Sequence, residues 1–274
     1  MFRVKKVLNH NTLIGIGMDD NREYLLIGKG IGFGRKISQR MEAPEGSTVY
    51  SLHEQTQRGT AAELVKGMDP VCLEIAEQIL KESEKVFGKI DWAILFPMAD
   101  HIAFAVKRIR NGEQISNPLT GDIRALFHME YKIAESVSPV LKEKLDAEID
   151  EHEIGYIALH IHSAIEDENV ALSMQIARTV RECIQLVENE TGMTIDVMSL
   201  SYNRLMNHVR YMVARAVKGE KLKLNMNDYM SEKFPDAFRL ASIVCGHLEK
   251  YLKRPMDEVE IGYLAMHIQR VSEE

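Results

Sequence analysis

The stretch "DEHEIGYIALHI", residues 150–161, recurs as "DEVEIGYLAMHI" at residues 257–268, with 9 of 12 positions identical and an offset of 107. Upstream, "HIAFAVKRIRNGE" at 101–113 lies over "HVRYMVARAVKGE" at 208–220 with the same offset. Two matches at one offset, with no net gap between them, mark a duplicated domain rather than a chance motif. The copies are expected to span residues 67–170 and 171–274. Within them, "CLEIAEQILKESEKVF", "LSMQIARTVRECIQLVENE" and "FRLASIVCGHLEKYLK" repeat their apolar residues at spacings of three and four, so both copies are predicted to be all-α helical bundles. Asp150 and Glu151 suit a helix start, while Asp196 and Ser199 precede an apolar run from Tyr202 to Val217 that stops near Gly219.

Residues 1–57 have a different texture. "FRVKKVL" and "TLIGIGM" flank the turn Asn9-His10-Asn11, "EYLLIG" follows Asp19-Asp20-Asn21, and "STVYSL" follows Pro44 and Gly46. The expected fold is thus multidomain: a small all-β domain with an antiparallel sheet, followed by two homologous helical bundles. A sheet this short buries little surface alone, and a homodimer is the expected way to cover its apolar face.

Charge divides along the same line. Although the 274 residues carry a formal net charge of -7, residues 1–40 hold eight cations against three anions, a net +5. The remainder holds 26 cations against 38 anions, a net -12. A basic head on an acidic body suits a polyanion partner that the body itself does not bind. No run reaches the roughly 18 to 20 apolar residues of a membrane span, and "MFRVKKVLNHN" lacks a signal-peptide core, so no membrane insertion and a cytoplasmic location are expected. Cys72, Cys183 and Cys245 are widely spaced with no CxxC pair and read as buried free thiols. The 15 methionines fall mostly within the helical periods and read as core filling.

The stretch "GKGIGFGRK", residues 28–36, invites a nucleotide reading and fails it. A Walker loop needs GxxxxGK followed by Ser or Thr, but Gly30 follows Lys29; a Rossmann turn needs GxGxxG, and neither glycine register supplies the third glycine. The sequence calls for no cofactor. What remains is a side-chain-poor segment carrying Lys29, Phe33, Arg35 and Lys36. Glycines permit close backbone approach, an aromatic stacks on an unpaired base, cations meet phosphates and turn asparagines read base edges. The segment reads either as an RNA surface or as a glycine-rich structural hairpin.

Each helical copy also carries a histidine pair at equal separation, His101 with His160 and His208 with His267. Three chemistries compete for them. A metal site is invited by "HIH" at 160–162 with His152, but the second copy has Gln269 and Val259 where His162 and His152 stand. General acid–base catalysis would want a paired nucleophile or carboxylates, and neither GxSxG nor HExxH occurs. Phosphoryl acceptance needs only a neutral, reachable imidazole and a donor protein. A metal-dependent hydrolase remains the enzymatic alternative at this point, and copied packing histidines the bland one.

Taken together, "VKKVLNHNTLIGI", "YLLIGKGIGFGRK", "DHIAFAV" and the two "EIGY" repeats resemble the BglG/SacY family of bacterial transcriptional antiterminators, over essentially the whole chain, with "LIGKGIGFGRK" most like the glucose-operon branch. The resemblance implies a co-antiterminator RNA-binding domain followed by two phosphotransferase-system (PTS) regulation domains, and a regulator rather than an enzyme. It implies that Lys6, Asn9, Asn11, Gly28, Lys29, Gly30 and Phe33 face an RNA hairpin. It also implies that His101, His160, His208 and His267 accept phosphate, the first pair from a PTS sugar permease and the second from the phosphocarrier HPr. The family often has a third asparagine where this chain has His10, and in many members arginine stands in place of Lys29. Asp100 precedes the first histidine of copy one and Asn207 that of copy two, so the two need not accept phosphate equally well.

Overall fold

A computed structural model of the protein describes residues 1–53, 55–56, 59–166, 169–196 and 199–273. The expected domain ends at 57 and 274 lie outside the described residues. The chain divides into two compact units: Met1–Thr120 with Phe127–Val170, and Gly121–Leu126 with Ala171–Glu274.

In the first unit, strands β1 (Phe2–Val7), β2 (Thr12–Gly17), β3 (Glu23–Ile27), β4 (Arg40–Met41) and β5 (Thr48–Ser51) form one antiparallel sheet in the order β4-β1-β2-β3-β5. The short β6 (Gln55–Thr56) and β7 (Gly59–Thr60) pair separately. Because side chains alternate along a strand, the sheet has two apolar faces. Val4, Leu13 and Leu26 on one face pack with Ile31 and Met41. Ile14, Leu25 and Tyr50 share the other, being register partners across β2, β3 and β5. That second face continues onto helical residues, with the Tyr50 ring 6.1 Å from Trp92 and 6.2 Å from Phe96. Leu25 is 0% and Tyr50 7% exposed. The sheet therefore finds its cover within one chain, and the argument that an open apolar face requires a second copy loses its premise.

The helical part of this unit comprises α1 (Ala61–Lys66), α2 (Pro70–Phe87), α3 (Leu95–Arg110), α5 (His128–Ser136), α6 (Ser138–Leu145) and α7 (Glu151–Ile165), while α4 (Thr120–Leu126) belongs to the second unit from Gly121 on. Thr60 and Glu63 form a reciprocal capping box that starts α1. Asp69 caps α2 ahead of Pro70, where the missing N–H costs nothing. Asp150 accepts from the backbone N–H groups of His152 and Glu153 and starts α7. α2 packs against α3 and α7, and α3 against α7.

The second unit contains α8 (Val170–Thr191), α9 (Leu200–Lys218), α10 (Asn227–Lys233), α11 (Pro235–Leu252) and α12 (Glu260–Ser272), with α12 packed on α9, α10 and α11. Ser199 caps α9, and Gly219 ends it in a left-handed conformation. α11 covers in one helix what α5 and α6 cover in two. The break falls at Pro139, which lacks an N–H and crowds the preceding turn, whereas the position 107 residues on is Gly246. Cys72, Cys183 and Cys245 are free and buried, and burial first of all pushes the Cys72 and Cys245 thiols up to about 12. Among the described residues, no helix is long and apolar enough to cross a membrane.

Candidate nucleic-acid interface and histidine sites

The alternating glycines of 28–34 meet two different demands. A β-carbon on Gly32 would lie 2.2 Å from the Asn9 carbonyl oxygen, so only glycine lets the loop lie against the asparagine turn. Gly30 has φ +70°, a left-handed conformation that side-chain-bearing residues disfavour. The two loops are bonded together: Gly28 N–H donates to the Asn11 carbonyl and Gly32 N–H to the His10 carbonyl, both at 2.9 Å.

The asparagine side chains complete the joint. Asn11 Oδ1 accepts from Gly30 N–H at 2.9 Å, and Asn9 Oδ1 accepts from Asn11 N–H at 2.8 Å. With both amide oxygens committed, each Nδ2 is left as a donor for a further partner. Phe33 is 72% exposed and sits edge-on to the His10 ring at 5.6 Å. Lys6 and Lys29 are exposed. Of the seven residues expected to face RNA, the structure joins Asn9, Asn11, Gly28 and Gly30 directly and sets Phe33 beside their turn. Gly32 and His10 belong to the same constellation and were not singled out by sequence. In this structure the two asparagine donors are occupied by the Glu74 carboxylate on α2.

The histidines also meet in pairs. His101 on α3 and His160 on α7 have ring centroids 5.4 Å apart. His208 on α9 and His267 on α12 lie 4.6 Å apart with planes at 25°. Duplicated groups surround each pair: Glu153 with Arg108 and Tyr156 in the first, Glu260 with Arg215 and Tyr263 in the second. Every one of these keeps the offset of 107, so the signal lay in the repeat itself. Arg108 donates to Glu153 Oε1 at 2.6 Å, and Arg215 donates to both oxygens of Glu260 at 2.6 and 2.9 Å. The arginines are thus tied to glutamates rather than aimed at the imidazoles.

The two pairs differ in electrostatics. His101 Nε2 lies 3.1 Å from Glu153 Oε2, against 3.8 Å for His208 Nε2 and Glu260. Neither Nε2 has an aligned hydrogen-bond partner among the described residues. Burial raises the Glu153 pKa, but the nearby His101 ring and the Arg108 guanidinium outweigh it and leave the carboxyl below its ordinary value. In the second pair burial dominates. It lowers His208 to about 3, with help from His267 and Arg215, and His267 to about 4, with help from Arg270 and Arg204. Both imidazoles are therefore neutral near pH 7. Positions 97 and 163, the counterparts of Arg204 and Arg270, are Pro97 and Ser163.

No cluster of three or more His, Cys, Asp or Glu suited to a metal exists among the described residues. His162, from the "HIH" triplet, pairs instead with Glu130 at 3.0 Å, and His152 with Thr120 at 2.7 Å. The three histidines that invite a metal are thus divided among different partners, His152 on Thr120 and His162 on Glu130, with His160 beside His101.

The chain thus joins a sheet carrying an asparagine turn against a glycine loop to two copies of a helical bundle that each hold a histidine pair. Residues 2–59 match the CAT RNA binding domain family, and residues 73–164 and 181–271 each match the PRD domain family. The chain belongs to the BglG/SacY family of transcriptional antiterminators, built from a CAT domain and two PRD domains. It is 31% identical to "Protein GlcT" of Staphylococcus haemolyticus, over 97% of this chain and 95% of that protein. It is 30% identical to the "GlcA/glcB genes antiterminator" of Staphylococcus carnosus, over 99% and 96%. A solved structure described as "Crystal structure of GlcT CAT-PRDI" covers 60% of this chain and 98% of its own, at 34% identity and a TM-score of 0.49.

Proposed function

We propose that the protein binds a hairpin in nascent messenger RNA and stabilises it against an overlapping terminator, so that transcription of a sugar-uptake operon continues. The observation that carries this reading is the joint between the asparagine turn and the glycine loop, where two amide donors converge beside exposed Phe33. Lys6, Asn9, Asn11, Gly28, Lys29, Gly30 and Phe33 form the RNA face, with backbone at the glycines giving close approach. The names of the staphylococcal relatives point to a glucose operon. We assign the protein to the cytoplasm and, by family likeness, to a homodimer.

Control runs through phosphorylation of His101, His160, His208 and His267. An imidazole nitrogen attacks the phosphorus of a phosphorylated donor protein, and the donor's side chain leaves. A PTS permease phosphorylates the first pair with an inhibitory result, and HPr the second with an activating one. A phosphate adds roughly -1.5 to -2 charges. Each pair has a glutamate and an arginine beside it, Glu153 with Arg108 and Glu260 with Arg215, and the second pair adds the charges of Arg204 and Arg270 near His267, which stabilise a phosphate there.

Two experiments test the reading. The full chain is titrated with a hairpin containing an internal loop and with its fully paired control. Selective hairpin binding that is lost in Asn11→Ala and Phe33→Ala is the expected result, and equal binding to both RNAs rejects it. Incubation with phosphorylated permease components and HPr should place acid-labile phosphate on the chain; none incorporated rejects the control scheme.

A further inference from the structure

Glu74 lies in the first turns of α2, yet its carboxylate reaches the turn between β1 and β2. Asn9 Nδ2 donates to Oε1 at 2.6 Å and Asn11 Nδ2 donates to Oε2 at 3.1 Å. These are the donors left over once Gly30 N–H and Asn11 N–H have taken the amide oxygens. The Glu74 side chain is only 12% exposed, and Lys144 Nζ stands 4.0 Å from it.

We propose that Glu74 is an intramolecular occupant of the RNA face: it takes the two amide donors that an RNA acceptor would take, so RNA binding and docking of the sheet on α2 exclude one another. The inference rests on the RNA-face reading of Asn9 and Asn11. A carboxylate offers two anionic oxygens to two converging N–H groups, the chemistry a phosphate or a base carbonyl would offer in its place. Three residues along the same face of α2, Glu77 accepts from Tyr50 Oη at 3.3 Å while the Tyr50 ring meets Phe96 and Trp92. The carboxylate contact therefore sits beside an apolar contact made by β5, the opposite edge strand of the sheet from β4.

The glutamate is not something both helical copies require. Position 181, 107 residues on, is Arg181, while the neighbouring apolar position pairs Leu73 with Val180. Arg181 lies 3.6 Å from Asp122, so the equivalent position serves a different contact in each copy. α2 also packs on both helices that carry the first histidine pair, which sets the lock one helix away from His101 and His160.

The test compares full-length wild type with Glu74→Gln, Glu74→Ala and, as a charge control, Glu82→Gln. Glu82 is on the same helix and pairs locally with Lys85, so its substitution removes an equal charge without touching the asparagines. The internal-loop hairpin and its paired control are titrated at one salt concentration, and folding is verified by circular dichroism. Glu74→Gln and Glu74→Ala are expected to bind the hairpin about tenfold more tightly than wild type, or ~1.4 kcal/mol, with Glu82→Gln changed about twofold or less. Equal gains at positions 74 and 82, or no gain at 74 while wild type binds selectively, overturn the lock and leave the RNA reading standing. Failure of every variant to prefer the hairpin overturns the RNA reading and the lock with it. A second readout needs no RNA: the side-chain amide resonances of Asn9 and Asn11 should move in Glu74→Gln, the isosteric change, and unmoved resonances overturn the contact.

Discussion

Arg215 holds Glu260 by two hydrogen bonds, at 2.6 Å from Nε to Oε1 and 2.9 Å from Nη2 to Oε2, with the glutamate side chain 3% exposed. Removing the guanidinium leaves a carboxylate buried without its counterion. Arg215→Met is therefore expected to destabilise the second unit by about 3 to 5 kcal/mol, whereas Arg215→Met combined with Glu260→Leu should recover most of that loss. Urea unfolding followed on the second unit reads both. A single variant as stable as wild type would mean that the pair is open to solvent.

Acid should loosen the same region. An ordinary histidine near 6.5 gains its proton in the unfolded chain before His208, near 3, or His267, near 4, gains one in the folded chain. The unfolded state then binds more protons, so stability is full above about pH 6.5 and falls as the pH drops toward 4. The slope from His208 approaches ~1.4 kcal/mol per pH unit, and His267, more open to water, adds less. His208→Gln should flatten the stability profile between pH 6.5 and 4, measured by denaturant midpoints. An unchanged profile would mean that the folded imidazole titrates normally.

Gly32→Ala tests the loop joint. The added methyl would stand 2.2 Å from the Asn9 carbonyl, backbone that cannot swing aside without moving the turn. Hairpin affinity should fall by about tenfold or more, ~1.4 kcal/mol in binding, while the far-ultraviolet signal of the helices stays unchanged. Full retention of binding would show that the turn relaxes freely and that the glycine alternation is not needed for recognition.

Features with a local cause are legible in this sequence, and features with a distant cause are not. β2 and β3 are short apolar runs bounded by turn residues, as a sheet buried on both faces requires, and Asp150, Ser199 and Gly219 act on their own helix ends, so short windows suffice for these strands and caps. The two-residue β4 leaves too little pattern to see, because Arg40 and Met41 are strand only through Phe2 and Arg3. Arg108 and Arg215 stand out in the sequence as counterions available to a phosphorylated histidine, and Glu153 and Glu260, which keep the same repeat offset, are legible in it by the same argument. Glu74 was not legible. Its partners lie 65 and 63 residues away in a domain of different texture, and nothing in the periodicity of α2 separates it from a solvated glutamate.

The exposed groups of the RNA face should divide their work between charge and stacking, and salt separates the two. Lys29 is a flexible cation in an otherwise side-chain-poor loop, and Phe33 is an uncharged ring 72% exposed beside His10. A lysine that meets a phosphate releases counterions from RNA, so Lys29→Ala should lower the slope of log affinity against log salt by about one. A ring that stacks on an unpaired base releases none. Phe33→Ala should cost ~1 to 3 kcal/mol at every salt concentration and leave the slope unchanged. Lys6→Ala should follow Lys29→Ala, because Lys6 is exposed on β1 just after its bulge. If Phe33→Ala instead alters the slope as the lysine variants do, the ring positions cations rather than contacting a base, and stacking would have to be sought at His10.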